Sequence, residues 1–239
     1  MPYNGKVDRQ MKEKPVEPTA SEFKRRRGRP PAAPENLAAA HAEARNKICS
    51  AALTLFGRSG IEAISMREIA GLIGASPMMP YKYFRTKDHL LQELRTRAFE
   101  VFENRLRDAA TGDSALARLK QLSLAFLRFG LVERESYKLM FDYWVYDSLG
   151  QMIEDFGDAI RRQSGAWNIL SKEVELYFTE TGLRGDPQIA AHLIWASLHG
   201  LVSLEASRKL VMGMEFEELT IPMIDAIMSG LASVPRQRL

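Results

Sequence analysis

Cysteine is almost absent from this chain, which has a single one, Cys49, among 239 residues. One cysteine cannot form an intramolecular disulfide, and scarce cysteine is typical of proteins from a reducing compartment. We therefore expect a cytoplasmic protein that is held together by its hydrophobic core. Cys49 lies among apolar residues of a predicted helix, so we interpret it as a small buried side chain, with a redox-sensing thiol as the alternative.

A long hydrophobic stretch is missing too. The longest apolar run, around Leu193 to Leu204, has about twelve residues, whereas a membrane-spanning helix needs about 20. The N-terminal segment is polar and charged, which predicts that there is no signal peptide. The hydrophobic content of 46% and the charged content of 26% are ordinary for a globular protein. We expect one or two domains and no membrane partner.

Sequence motifs of common catalytic sites are also lacking. The chain has no nucleophile elbow, phosphate-binding loop, dinucleotide fingerprint or zinc-ligand spacing. His192 and His199 are seven residues apart on one predicted helix, whereas chelation of a metal by one helix prefers a spacing of four. Packing is the interpretation we favour for them, and the wall of a pocket is the alternative. We therefore predict no enzymatic activity, no metal site and no cofactor.

Positive charge is present in abundance, and it is concentrated near the N-terminus. Residues 1–34 contain nine Lys or Arg against four Asp or Glu, and residues 35–99 contain nine against six. Residues 100–239 contain fifteen against twenty, so that part is acidic. Phosphate groups attract the first two segments and repel the third. The charge pattern therefore predicts a nucleic-acid-binding surface in the N-terminal part.

Residues 1–36 are rich in Pro, Lys, Glu and Arg and show no apolar periodicity, which predicts a disordered basic arm. Residues 24–30 of this arm, Lys-Arg-Arg-Arg-Gly-Arg-Pro, resemble an AT-hook core. Arginines beside a glycine can lie in a narrow minor groove, where the potential is most negative. A solvated run of charge is the alternative. The candidate groove-binding residues are Arg25, Arg26, Arg27 and Arg29.

Two helix starts follow one another between residues 65 and 84. Ser65 and Glu68 have the spacing of a capping box, and Ile64 and Ile69 have that of a hydrophobic staple. A turn at residues 74–75 contains glycine, and Ser76 then caps a second helix that starts with a proline. A further proline at position 80 predicts a tightened first turn of that helix. Two short helices joined by such a turn are a helix-turn-helix.

The flanking segments complete a longer pattern. A first helix is predicted at residues 44–60, ended by Gly60, and another begins after its N-cap Thr86. Together with residues 81–84 (Tyr-Lys-Tyr-Phe) and 86–88 (Thr-Lys-Asp), this order resembles the DNA-binding domain of the TetR family of bacterial transcription regulators. The resemblance implies a DNA-binding domain at residues 37–94.

The candidate DNA contacts follow from this resemblance and from the expected exposure. Lys82 can donate to guanine, whereas Met78 and Met79 can contact thymine methyl groups or pack against the first helix instead. The resemblance implies phosphate contacts by Tyr81, Tyr83 and Lys87. The full predicted set is Ser65, Arg67, Ser76, Met78, Met79, Tyr81, Lys82, Tyr83 and Lys87.

The rest of the chain shows helical periodicity and no strand-like alternation. The helix from Thr86 is expected to continue to Leu106, and further helices are predicted at residues 114–132, 136–149, 151–180, 187–208 and 216–231. The fold class is therefore all-α. We predict an N-terminal helix-turn-helix domain of three helices, followed at residues 95–239 by a helical bundle for ligand binding and dimerisation.

A second resemblance lies in the helix at 187–208. Trp195 and the pair His199-Gly200 resemble the Trp…His-Gly helix of one subgroup of TetR ligand domains. The family resemblance implies an effector pocket, and a cluster of aromatic and Met residues is its expected place, with plain core as the alternative. The predicted ligand-binding residues are Met140, Phe141, Trp144, Phe156, Trp167, His192 and Trp195.

The last two helices fit the homodimer interface that the resemblance implies. We expect a monomer to leave apolar residues of these helices exposed to water, namely Leu198, Leu201, Ile224 and Ile227. The function that follows is a homodimeric DNA-binding regulator. The expected activity is repression from a pseudo-palindromic operator, relieved by a small and largely apolar effector. The alternative is a small-molecule-binding or interaction protein whose helix-turn-helix has little sequence specificity.

Overall fold

The computed structural model describes residues 34–61, 64–142 and 164–235, together with positions 150, 153, 154 and 157. The described residues form eight α-helices and two short 3₁₀ turns, and they contain no strand, which confirms the all-α prediction. The chain divides into two compact units, residues 1–40 and 41–239. Residues 1–33 of the predicted arm and two of the predicted ligand-binding residues, Trp144 and Phe156, lie outside the described residues. The last three residues of the predicted arm, 34–36, are instead the start of a helix.

The N-terminal helices begin with α1, Pro34–Ser59, which starts ten residues earlier than predicted. Alanines make up much of that extra length, and alanine has the highest helix propensity. Helix α2 spans Met66–Leu72, and α3 spans Lys87–Ala109. Gly60 adopts a left-handed φ of 77° just after α1, as expected of a helix-ending glycine.

The predicted capping box at the start of α2 is confirmed. The backbone N–H of Glu68 donates to Ser65 Oγ at 3.2 Å, and the backbone N–H of Ser65 donates to Glu68 Oε2 at 3.0 Å. Ile64 and Ile69 are both buried in the same hydrophobic cluster, in keeping with the staple. Gly74, with φ of 66°, makes the turn that follows α2.

The second helix of the predicted helix-turn-helix is not an α-helix in the structure. Residues 77–79 form a turn and Pro80–Lys82 a 3₁₀ turn. The backbone N–H of Met79 donates to Ser76 O at 2.9 Å, and that of Lys82 donates to Met79 O at 3.1 Å. Pro77 directly follows Ser76, where an α-helix needs no N–H, but Pro80 has no N–H to donate to Ser76 O and its ring crowds that carbonyl, which disfavours a regular α-helical first turn. The tightening predicted at Pro80 therefore extends over the whole segment.

The C-terminal helices are α4 at Ala115–Val132, α5 at Arg134–Phe141, α6 at Gly165–Thr181, α7 at Pro187–Ala206 and α8 at Phe216–Gly230. The predicted bounds of α4, α7 and α8 agree within two residues. Helix α5 begins two residues before the range predicted as 136–149 and covers its described part as far as Phe141. The predicted helix at 151–180 corresponds at its C-terminal end to α6, which Gly182 ends with φ of 68°.

Helix α3 contributes to two hydrophobic cores. Leu94 packs into a smaller core with α1, α2 and Phe84, whereas Ala98 packs into a larger core with α4–α8. The smaller core also contains Leu139 of α5. The predicted domain boundary at residues 94/95 therefore lies inside one continuous helix, between the residues that serve each core.

Cys49 is buried in the smaller core, which confirms its interpretation as a small apolar side chain. Burial raises the pKa of its thiol to about 11. The thiolate is the reactive form of cysteine, so a thiol with this pKa is protonated at neutral pH and poorly suited to redox sensing.

Helices α4 and α7 approach closely where Gly130 faces Val202. A Cβ atom added at Gly130 would overlap with Val202 Cγ1, well inside van der Waals contact. Both residues are buried, so neither side can move into solvent. The absence of a side chain at Gly130 is what allows the two helices to meet.

We expect Gly130→Ala to lower the free energy of unfolding by about 1–3 kcal/mol, because the added methyl group overpacks the contact with Val202. The control Gly71→Ala adds the same group in α2 where no atom lies within 4 Å, so it should keep or slightly raise stability. Urea denaturation followed by circular dichroism measures both. Combining Gly130→Ala with Val202→Ala should cost less than the two single changes together. An unchanged unfolding midpoint for Gly130→Ala would contradict the contact.

Candidate functional site

The exposed members of the predicted DNA-contact set lie on two neighbouring elements. Ser65 and Arg67 are exposed at the start of α2, and the turn at residues 76–82 packs against that helix. On this turn the exposed members of the predicted set are Ser76, Met78, Tyr81 and Lys82, and Pro77 is exposed as well. Met78 is 66% exposed, so its side chain is available to a partner.

The other predicted contacts also have structural roles. Met79 and Tyr83 pack partly buried against the smaller core, and the Tyr83 ring lies 4.8 Å from that of His41. Lys87 Nζ donates to Ile61 O at 2.8 Å. For Met79, the packing alternative considered from the sequence is therefore at least partly realised.

Arg45 of α1 anchors the far end of this segment, a role that sequence reasoning missed. Its Nη1 donates to Tyr83 O at 2.9 Å, and its guanidinium lies 4.3 Å above the Phe84 ring. Its Nη2 also lies 3.2 Å from a carboxylate oxygen of Glu93 in α3. A lone arginine in an amphipathic helix carries no sequence signal for such contacts, because its partners come from distant segments.

A cavity of about 550 Å³ lies within the larger core. Five of the predicted ligand-binding residues line it: Met140, Phe141, Trp167, His192 and Trp195. Its remaining walls come mainly from α3 and α4, which sequence reasoning did not assign to a pocket. The additional lining residues are Arg95, Phe99, Phe102, Leu106, Leu122, Ser123, Phe126, Ala166, Leu170, Leu198 and His199.

The α3 wall shows why these residues were missed. Arg95, Phe99, Phe102 and Leu106 recur at intervals of four, three and four, which is one face of a helix. The same periodicity describes residues packed in a solid core. Only the way in which α3 packs with α4, α5 and α6 in the fold, leaving space beside this face, turns it into the wall of a cavity.

His199 is held by a hydrogen-bond chain at the edge of the cavity. Tyr137 Oη lies 2.5 Å from His199 Nδ1, and His199 Nε2 lies 3.3 Å from Ser203 Oγ. Burial raises the pKa of Tyr137 far above its ordinary value, so its hydroxyl keeps its proton and donates to Nδ1. Burial also lowers the pKa of His199, with nearby Asp142 acting in the opposite direction. The neutral imidazole is thereby favoured, with its proton on Nε2.

Arg95 brings positive charge to the cavity wall. Its Nε donates to Met140 O at 3.1 Å, and its guanidinium lies 5.5 Å from the centre of the Phe99 ring. None of the lining residues among those described is acidic. In the described part of the chain, no group of three or more His, Cys, Asp or Glu could hold a metal ion.

The exposed face of α7 differs from the one expected. Leu198, Leu201 and Ile224 are buried within a single chain, so the prediction that a monomer leaves them exposed to water is wrong. Ile227 is partly buried. The large apolar residues that α7 and α8 do expose are Ile189, Leu193, Leu204 and Ile221. Because α7 is apolar around much of its circumference, its sequence could not distinguish the inner face from the outer one.

The same composition makes α7 the one described helix that is long and apolar enough to cross a membrane, with a mean hydropathy of 1.3. A core helix of a soluble protein passes this test as well, so the finding is weak evidence for a membrane span. Packing of one face against α4 and α8 accounts for part of the apolar content.

Two family models match the chain. Residues 48–94 match the model for bacterial regulatory proteins of the tetR family. Residues 119–227 match the model for the C-terminal domain of tetracyclin repressor-like proteins. The first match covers the capping box, the 3₁₀ turn and the start of α3, and the second covers most of α4–α8. A comparison with curated proteins found no match.

Solved structures share the fold at low sequence identity. A protein of unknown function from Rhodococcus sp. RHA1 has a TM-score of 0.65 and 22% identity, over 78% of this chain and 94% of that one. A regulatory protein in the tetR family from Rhodococcus RHA1 has a TM-score of 0.59 and 18% identity, over 82% and 98%. The fatty acid degradation regulator FadR from Bacillus halodurans has a TM-score of 0.62 and 16% identity, over 78% and 95%.

We expect the stability of the protein to fall as the pH drops below the ordinary pKa of histidine, about 6.5. The pKa of His199 is lowered in the folded state, so the unfolded chain takes up this proton first, and stability present at higher pH is lost on acidification. Chemical denaturation at pH 7 and at a pH of about 5 measures the loss. His199→Gln should lose less stability over this range than the wild type. Ser203→Ala keeps the imidazole and should retain the dependence; an equal loss in His199→Gln would exclude His199 as its source.

Proposed function

The chain belongs to the TetR family of DNA-binding transcriptional regulators, and from that membership we propose that it is a homodimeric cytoplasmic repressor released from its operator by a small, largely apolar molecule. Members of this family are regulators and not enzymes. The observation that supports ligand release most directly is the aromatic cavity of about 550 Å³, whose wall shares α3 and α5 with the core beneath the 3₁₀ turn. Ligand pockets commonly have volumes of about 300–1,000 Å³.

We assign the sequence-reading role to the turn at residues 76–82. Lys82 is its exposed residue able to donate to guanine, and Met78 offers apolar surface to thymine methyl groups. Ser65, Arg67, Tyr81, Tyr83 and Lys87 then position the protein on the phosphates. The arginines at residues 25–29 supply minor-groove contacts from the arm. In this proposal residues 1–36 form the arm, residues 37–94 the DNA-binding domain and residues 95–239 the ligand-binding and dimerisation domain.

Ligand release requires a connection between the cavity and the DNA-binding part. Leu139 packs in the smaller core, while its neighbour Met140 lines the cavity. On α3, Leu94 likewise packs in the smaller core, while its neighbour Arg95 lines the cavity. A ligand that prefers one arrangement of these two helices shifts the balance between DNA-binding and released states, and equal affinity for both would shift nothing.

Dimerisation is assigned to the exposed apolar face of α7 together with Ile221 of α8. Ile189, Leu193 and Leu204 lie on this face at helical spacing. The small residue Gly200 lies between them, and a methyl group there would meet no atom within 4 Å. A second copy packed against this face would remove apolar surface from water and could approach closely at the glycine.

The proposal predicts binding of a defined operator far above random duplex. Selection of fragments from the host genome yields a candidate site, and fluorescence anisotropy compares it with a shuffled duplex. Lys82→Ala should lose about 1–3 kcal/mol of discrimination at one base pair, because a base-edge contact is removed. Tyr81→Phe, which removes a phosphate contact from the same turn, should weaken binding equally on all duplexes. Equal wild-type affinity for selected and shuffled DNA would favour the alternative, a ligand-binding protein whose helix-turn-helix has little specificity.

The dimer assignment predicts that Leu193→Glu yields monomers. A carboxylate in the centre of the α7 face would have to be buried without a partner in the dimer. Sedimentation velocity should then give the monomer mass of 27.0 kDa, and operator affinity should fall because one protomer binds one half-site. Val101→Glu makes the same kind of change at an exposed site of α3 and should stay dimeric. A dimeric Leu193→Glu protein would exclude this face.

A further inference from the structure

Helix α7 contributes both to the cavity and to the exposed apolar face that is assigned to dimerisation. His192, Trp195 and His199 line the cavity at intervals of three and four residues, which is one side of a helix. Ile189 and Leu193, three residues before and one residue after His192, belong to the exposed apolar face. His192 therefore lies at the edge where these two sides of α7 meet.

The cavity reaches the molecular surface at His192. This residue lines the cavity and is nevertheless exposed. Its Nδ1 lies 2.7 Å from Gln188 O, one turn earlier in α7, which restricts the orientation of the ring. The ring of Trp167 in α6 lies 4.5 Å from that of His192 and is half-buried. A ligand that fills the cavity as far as these two rings would keep part of its surface in water in a single chain.

The apolar face beside this opening suits a second copy of the chain. From Pro187 to Leu204 the sequence of α7 contains no Asp, Glu, Lys or Arg, so two copies of this face can meet without repulsion between like charges. A twofold interface uses the same patch on both subunits, and an apolar patch without these charges is complementary to itself. Ala196 is exposed on α7, and Gly200 has open space beside its Cα, so two helices can approach closely there.

We propose, building on the effector role of the cavity and on the dimer assigned above, that the partner subunit closes each cavity at His192. A bound ligand is then enclosed in the dimer and partly open to water in a monomer. Removal of about 40–70 Å² of apolar ligand surface from water corresponds to a roughly 5- to 20-fold gain in affinity. Because such coupling is reciprocal, a ligand that binds the dimer more tightly also stabilises the dimer.

The neutral fluorescent probe N-phenyl-1-naphthylamine measures this coupling on the full-length protein. The wild-type dimer should bind it roughly 5- to 20-fold more tightly than the monomers formed by Leu204→Glu, because the monomers lack the cover. Leu204 lies about 18 Å along α7 from His192, so this change separates the subunits without placing a charge beside the cavity. Leu193→Glu, the second monomeric variant, should show the same loss. The control Val101→Glu stays dimeric and should bind the probe as the wild type does.

Two further measurements test the position of the probe and the reciprocity. Energy transfer from the protein to the probe should fall in Trp195→Phe, because Trp195 lines the cavity. In sedimentation velocity, saturating probe should shift dilute wild-type protein toward dimers. Undiminished affinity in both monomeric variants, a shift toward monomers, energy transfer that Trp195→Phe leaves unchanged, or no binding of the probe would overturn the proposal.

Failure of the closure is distinguishable from failure of the proposed function. If Leu193→Glu and Leu204→Glu both remain dimeric, the dimer assignment is wrong and the closure falls with it. If both are monomeric and bind the probe as tightly as the wild type, only the closure is refuted. These titrations contain no DNA, so they leave the repressor function to be tested by operator binding.

Discussion

Helix α3 is the element on which the rest of the structure depends. It is a continuous helix of 23 residues, and its buried face serves the smaller core at Leu94 and the larger core from Ala98 onward. No flexible linker separates the two cores along this helix, so a shift of α3 at one core is carried to the other. Arg95 lies between the residues of α3 that serve the two cores, and its Nε donates a hydrogen bond to Met140 O. Met140 belongs to α5, the second helix with residues in both cores.

Proline sets a similar constraint in the DNA-binding part. Pro80 removes the backbone donor that would form the first α-helical hydrogen bond of this segment, and the turns at residues 77–79 and Pro80–Lys82 hold Met78, Tyr81 and Lys82 at the surface. Arg45 and the smaller core fix the ends of this segment. The chain therefore presents at residues 76–82 a surface that carries a single charged side chain, Lys82.

The cavity shows how one helix face can serve either packing or ligand binding. Aromatic side chains on α3, α4, α6 and α7 fill the larger core, yet they leave about 550 Å³ between them. The hydrogen-bond chain through His199 adds a rigid edge, because Tyr137 and Ser203 hold both of its ring nitrogens.

The amino-acid sequence by itself determined the features that depend on neighbouring residues. Local hydrogen bonding and backbone freedom, which a short stretch of sequence specifies, determine where helices begin and end. Features of this kind are the caps at Ser65 and Thr86, the helix ends at Gly60 and Gly182, and the bounds of α4, α7 and α8. Family membership was recognisable for the same reason, since its pattern lies largely within residues 45–94. Five cavity residues were also predicted, because aromatic and Met side chains cluster along the chain.

Only the tertiary structure decided what depends on distant segments. Leu198 and Leu201 of α7 and Ile224 of α8 were predicted to face solvent in a monomer and are buried, because packing against α4 selects one face of each of these apolar helices. The hydrogen bond of Arg45 joins it to Tyr83, 38 positions away, and that of Arg95 joins it to Met140, 45 positions away. The α3 wall of the cavity also depends on distant helices. Helical periodicity carries no information about contacts at such separations. The length of the irregular segment likewise depends on tertiary contacts as well as on Pro80, because Tyr83 and Phe84 at its end pack on the smaller core.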